Sequence, residues 1–277
     1  MQNCAQILDW TAWAPELEAN RTAWVAAAHK TAFGLLDLEV AAVGAAEPVA
    51  PAKMVPPMQR RRLTPLGRAV AEVLTPLASA APDAPWVYAS RWGDAGLATE
   101  LLIDTARGEA LSPAKFTTSV HNGAPSLLSI ALKCHNNVTA LAGGTFSFEA
   151  AWESALGLLL DHPKVILVVA ETKPPEVFAA RGVTHAFGLL LGRQEESADP
   201  IEWAKISARG PFCALTSRTH EPNESPDPRI HALGGTPADL EVLAWLLTDE
   251  KPLLQHVDCH ATWVFGKNRT LNPIVAT

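Results

Sequence analysis

Between Val138 and Leu160 the chain reads VTALAGGTFSFEAAWESALGLLL. An apolar run, Val138 to Ala142, breaks on Gly143-Gly144, and a helical pattern starts at Ser147. A strand, a tight glycine turn and a helix N-terminus together can mount a nucleophile or hold an anion. The unpaired N–H groups and the helix dipole stabilise negative charge there. The turn carries two hydroxyls, Thr145 and Ser147, and no cysteine. With His260 as a base, either hydroxyl would make an acyltransferase or hydrolase site. Ser147 equally suits a helix N-cap. His121-Asn122 either takes part in chemistry or organises a loop, since both residue types accept unusual backbone angles. Cys134 lies before the strand and reads as a small buried or loop residue. Arg60-Arg61-Arg62 either steers an acidic partner or forms a solvated face. Asp94, Glu100, Asp104 and Glu109 follow the spacing of an exposed helix and suggest no metal.

The elements that must position these residues are legible in part. Val138–Ala142, Ser147–Leu160 and Val165–Ala170 read as strand, helix and strand, a crossover that implies parallel strands. Phe148, Ala151, Trp152, Ala155, Leu158 and Leu159 share one helix face. Both strands are apolar throughout, as in a sheet covered on both sides. Thr64 and Pro65 open a helix that runs through Leu77. Pro85–Ser90 reads as a buried strand and Leu97–Arg107 as a helix. At the N-terminus, Met1–Leu8 suits a short strand. Trp10 and Trp13 then lead towards a helix around Leu17–Ala28. Further on, Ala186–Leu191 and Ile201–Ala208 suit antiparallel strands. Residues 217–236 suit a long polar loop. Pro237–Leu247 suits a helix capped by Thr236, and Gln255–Asp258 a short strand. Residues 44–57 form a loop, but no break is long enough to demand a second domain, so residues 1–277 are expected to form one.

Composition narrows the function classes. The chain has 277 residues, 48% hydrophobic and 18% charged, with a net charge of −7. It is long enough for a sizeable core, and the low charge suits large buried surfaces, including a subunit interface. The acidic balance argues against nucleic-acid binding. No stretch suits a membrane span, and the N-terminus does not read as a secretory signal. Four scattered cysteines with no CxxC fit neither a zinc cluster nor a disulfide framework, which suits a cytoplasmic location.

The order SP-x-x-F-x-x-SVHN, LSIA, TALA-GG and F-x-x-A, followed by VILVVAE, resembles the β-ketoacyl synthase family. The segments DWTAWAP, QRRRLTPLGR and YASRWGD extend the likeness over nearly the whole chain, towards the short ketosynthase-like proteins of type II polyketide and aryl polyene pigment systems. The resemblance implies an α/β fold, a thiolase-like layered α/β/α sandwich, with the second half-fold incomplete. It places the family's nucleophilic cysteine at Gly144 or Thr145, and one family histidine at His260 in Val257-Asp258-Cys259-His260-Ala261-Thr262. The region of the second histidine is missing. The resemblance therefore implies a chain-length-factor-like subunit without independent activity, cofactor or metal. Its partners would be an active ketosynthase, an acyl carrier protein and an acyl chain. Ser119, Val120, His121, Asn122 and Phe146 become candidates for the interface and tunnel, and Arg60, Arg61 and Arg62 for carrier docking. A freestanding enzyme using Thr145 or Ser147 with His260, and a homodimeric acyl-binding protein, are the alternatives.

Overall fold

A computed structural model of the chain describes residues 5–28, 49–178, 182–193, 238–248, 253–257 and 262–266. A mixed five-stranded sheet holds it together. Its strands are β1 (Ala5–Trp13), β2 (Trp86–Ala89), β3 (Val138–Leu141), β4 (Lys164–Glu171) and β5 (His185–Arg193), in the order β1-β5-β4-β2-β3. Strands β2, β3 and β4 run parallel, and β5 is antiparallel to both β4 and β1.

The run KVILVVAE forms β4 because both of its faces are covered, which favours β-branched residues at every position. Val165, Leu167 and Val169 enter one core layer, and Ile166, Val168 and Ala170 the other. The expected crossover is present, but β3 and β4 are not neighbours, because β2 lies between them. Strand β3 also packs on both faces, Leu141 against the layer of Val165 and Val138 and Ala140 against the layer of Ile166. Among the described residues it is the sheet edge, and all four of its residues are half-buried.

The first layer contains α1 (Arg21–Ala28), α7 (Ser147–Leu158) and α8 (Ala238–Leu247). Helix α7 buries Phe148, Ala151, Trp152 and Ala155, with Leu159 just beyond its end. The other layer contains α2 (Pro57–Arg60), α3 (Pro65–Ala80) and α6 (Gly123–Ala131). Thr64 caps α3 as expected, its hydroxyl accepting from the Gly67 N–H at 3.1 Å. The helix continues past Leu77 to Ala80 despite Pro76 inside it. It lies close against β5 because Gly188 has no side chain. A Cβ there would come within 2.8 Å of Leu77 Cδ1. The Thr11 hydroxyl of β1 donates to the Val73 carbonyl at 2.7 Å, tying helix to sheet.

Several expectations are corrected. Trp10 and Trp13 belong to β1 itself, which is longer and later than Met1–Leu8. A bulge between Ile7 and Asp9 shifts the register, so Ala5 and Ile7 share a core layer with Trp10 and Ala12. The stretch that carries the SP-x-x-F-x-x-SVHN and LSIA motifs holds two helices, α5 (Pro113–Ser119) and α6. Helix α4 (Ala95–Ala106) starts earlier than Leu97, and Asp94 is its cap, accepting from the Leu97 N–H at 3.3 Å. The expected strand near Gln255 is β6 (Leu253–Val257), which pairs antiparallel with β7 (Thr262–Gly266). Ile201–Ala208, residues 217–236, Thr236 and His260 lie outside the described residues.

Candidate functional site

The parallel strands β2, β3 and β4 end at one edge of the sheet, where open α/β sheets bind ligands. Ala142 to Thr145 follow β3 there and are exposed. Gly144 has φ +63°, a left-handed conformation, and a Cβ built on it would meet nothing within 4 Å. Gly143 is the tighter position, since its Cβ would lie 2.8 Å from the Phe146 carbonyl oxygen. A short 3₁₀ turn, Gly144–Phe146, leads into α7. Ser147 is therefore the first residue of α7 and not its N-cap, which is Phe146. The buried Ser147 hydroxyl accepts from the Gly143 N–H at 3.1 Å and donates to the Gly144 carbonyl at 2.8 Å. Its proton is committed to closing the turn. Thr145 stays on the surface, and Glu149 is fully buried in the first helical turn, where the dipole favours an acidic residue.

His121 organises the loop in front of the elbow. Its Nε2–H donates to the Leu141 carbonyl at 2.8 Å, and its ring lies 5.6 Å from the buried Tyr88 ring. Gly93, with φ +56°, passes so close that a Cβ would sit 2.9 Å from His121 Nδ1. Asn122 is exposed and precedes α6 without a side-chain cap bond. Ser119 donates back to the Phe116 carbonyl at 2.9 Å, and Val120 is exposed.

Beside this loop, at the end of β4, Glu171 forms a buried anchor. It accepts from the Ser90 hydroxyl at 3.1 Å and the Trp92 N–H at 3.3 Å, and also from the Arg91 N–H. Ser90 in turn accepts from the Gly93 N–H at 2.8 Å. Behind Glu171, His185 donates from Nε2 to Asp239 Oδ2 at 2.8 Å. Burial first, then the Asp239 charge, push the Glu171 carboxyl up to about 7, against the pull of the turn's N–H groups and His185.

A family model described as β-ketoacyl synthase, N-terminal domain, matches residues 38–265. The chain belongs to the β-ketoacyl synthase N-terminal-domain family. No curated protein matches it. Among solved structures it resembles a chain of "Ketosynthase (ApeO) in Complex with its Chain Length Factor (ApeC) from Xenorhabdus doucetiae". That match has 22% identity and a TM-score of 0.71, covering 95% of this chain and 99% of that one. The likeness shows the thiolase-like ketosynthase fold. Two weaker likenesses are a type II polyketide ketosynthase complexed with its acyl-carrier protein, and 3-oxoacyl-(acyl carrier protein) synthase III from Pseudomonas aeruginosa. Their identities are 13% and 14%, and their TM-scores 0.48 and 0.37. The first covers 70% of this chain and 64% of that one, the second 72% and 55%.

In this ketosynthase-like chain the structure brings Phe146, Thr145, Ser147, His121 and Val120 to one edge. Arg60 ends the single turn of α2 and is half-buried, while Arg61 and Arg62 are exposed. None of the three is ion-paired to a described residue. Met54 and Met58 are exposed beside them in sequence. Cys134, half-buried, lies in the loop after α6, as its position before the strand suggests. Among the described residues no His, Cys, Asp and Glu group is set to hold a metal, and no helix is long and apolar enough to cross a membrane. Sequence reasoning passed over Glu171, His185 and Asp239. The one available signal was an acid directly ending a run of apolar strand residues, VILVVAE.

Proposed function

We propose that this chain is a non-catalytic, chain-length-factor-like subunit forming a single ketosynthase-like domain. It pairs with an active β-ketoacyl-acyl-carrier-protein synthase and bounds the acyl tunnel in polyketide or aryl polyene synthesis. One observation carries the reading: the elbow, where the resemblance puts the family's cysteine at Gly144 or Thr145, holds no thiol, and its buried Ser147 hydroxyl is spent on closing the turn. Ketosynthase condensation needs a thiolate to receive the acyl chain, and no described side chain at the elbow supplies one.

The surface around the elbow supports pairing. Among the described residues strand β3 ends the sheet, and helices α4 and α5 leave Leu102 (69% exposed), Phe116 (61%), Ile103 and Val120 in solvent. Such apolar groups beside an unpaired strand favour a protein partner over water. A solved chain of the same fold comes from a ketosynthase complexed with its chain length factor, which favours a ketosynthase as that partner. Arg60, Arg61 and Arg62 offer cations to an acidic acyl carrier protein on a chain that is acidic overall. The reading includes a cytoplasmic location, where carrier, partner and acyl chain would meet.

The test is co-expression with a cysteine-bearing ketosynthase from the same source, followed by affinity purification and product analysis. We expect a stoichiometric complex, no acyl label on this chain from an acyl-carrier donor, and a changed product length when it is omitted. A chain that neither copurifies nor alters the product, or that takes up the acyl label itself, overturns the reading.

A further inference from the structure

Three titratable side chains lie behind the rim and have no part in the docking just described. His185 is fully buried, with Nδ1 on the Val183 carbonyl at 3.0 Å and Nε2 on Asp239 Oδ2 at 2.8 Å. Two acceptors call for two N–H groups, which favours the imidazolium form of the ring. Burial opposes that charge. The Asp239 carboxylate and its hydrogen bond, with Glu171 and the Val183 carbonyl, outweigh it and hold the His185 pKa above its ordinary value. Glu171 is the register partner of His185 across β4 and β5. It is faced by Tyr88 from β2 and Ser90 just after it, by the Arg91–Trp92 main chain, by His185 from β5 and by Asp239 from α8. Burial holds the Tyr88 hydroxyl far above its usual range, so it brings no charge.

The cluster thus buries two carboxylates with one cation between them. We propose that His185 is a positioning residue for the rim: its positive charge lets Glu171 stay ionised beside Asp239, and the ionised Glu171 holds the Arg91–Trp92 turn. Every hydrogen bond to Glu171 at the rim comes from a donor, and a protonated carboxyl would offer one of them a hydrogen instead of a lone pair. The held turn presents a defined face. The Arg91 guanidinium lies 4.7 Å from the Trp92 ring centroid, and Trp92 lies 5.6 Å from Phe178, whose ring is partly exposed. Helix α8, through Asp239, thereby bears on the Arg91–Trp92 turn by way of the buried cluster. This inference goes beyond the proposed pairing and is tested on the isolated full chain.

The experiment is amide hydrogen exchange of the Arg91 and Trp92 N–H groups between about pH 6 and about pH 8.5, corrected for intrinsic rates. In the wild type, protection rises as Glu171 ionises. His185→Gln leaves two carboxylates without their cation, and the midpoint moves up by about one pH unit or more, an effect of at least about tenfold in proton concentration. Adding Asp239→Asn to His185→Gln removes the repelling carboxylate and restores protection at neutral pH. Amides shared by β1 and β5 serve as the folding control. Flat wild-type protection overturns the inference without any variant. So does an unmoved midpoint in a folded His185→Gln chain, or a double variant that exchanges as fast as the single one.

Discussion

Gly143 and Gly144 are adjacent and serve the elbow in different ways. Gly144 supplies a positive φ, and the space around its missing Cβ is open. Gly144→Ala is expected to cost about 1–2 kcal/mol through backbone strain alone. Gly143→Ala is expected to cost more, because its Cβ would press on the Phe146 carbonyl at 2.8 Å and on Ala150. Urea unfolding of the two variants gives the order directly. The buried rim groups carry a second residue-scale expectation. Glu171 is raised from 4.5 to about 7, so the folded chain holds a proton that the unfolded chain has released. His185 is also raised, so its contribution is present below its unfolded value and lost as pH climbs through the folded one. Both signs agree: stability falls as pH rises from about 5 to beyond 7, with the Glu171 part on the order of 3 kcal/mol. A melting temperature that stays level or rises across that window would contradict it.

Among the elements, α7 links the elbow to the core. Trp152 and Phe148 stack with ring centroids 5.9 Å apart, and Phe148 also meets Phe187 of β5. Trp152→Ala is expected to destabilise the fold by about 3–5 kcal/mol, read by denaturant unfolding, because a rigid sheet cannot collapse into the void. Helix α7, β4 and α3 were all legible from apolar spacing and from the Thr64-Pro65 start. The misses have physical reasons. In β1 the bulge at Leu8 breaks strict alternation, so a period-two reading stops before Trp10. Helices α5 and α6 are short and rich in Ser, Thr and Gly, although Ser112-Pro113 did carry a start signal, with Ser112 accepting from the Lys115 N–H at 3.4 Å. Edge position is a property of the assembled sheet, so the Val138–Leu141 pattern could not reveal that β3 ends the sheet among the described residues. At the site, the absence of a cysteine from Gly143 to Ser147 was legible in the sequence itself. The Glu171–His185–Asp239 cluster was not, since its members come from β4, β5 and α8 and only folding brings them together.

At the scale of the molecule, one end of the sheet gathers the glycine elbow, the His121 loop, the Arg91–Trp92 turn and the exposed apolar groups of α4 and α5. Lys115 of α5 pairs with Glu100 of α4 across that face. Phe116→Glu and Val120→Glu are expected to leave the melting temperature of the isolated chain within about 1 °C, because exposed side chains contribute little to stability. The same variants are expected to weaken capture by the ketosynthase at least about tenfold in a pull-down titration, since each places a charge in an apolar contact. Unchanged capture would move the pairing surface elsewhere.

The open edge of β3 has a further consequence for how the chain must be made. Four residues of strand, ended by a glycine pair, give a short template, and short edges limit runaway stacking. The template still accepts any extended segment, including the same strand of another copy. A cell that makes this chain in excess over whatever covers β3 accumulates copies ready to pair with themselves. Balanced synthesis therefore protects solubility, and a recombinant host given this gene alone is the setting in which inclusion bodies would form first.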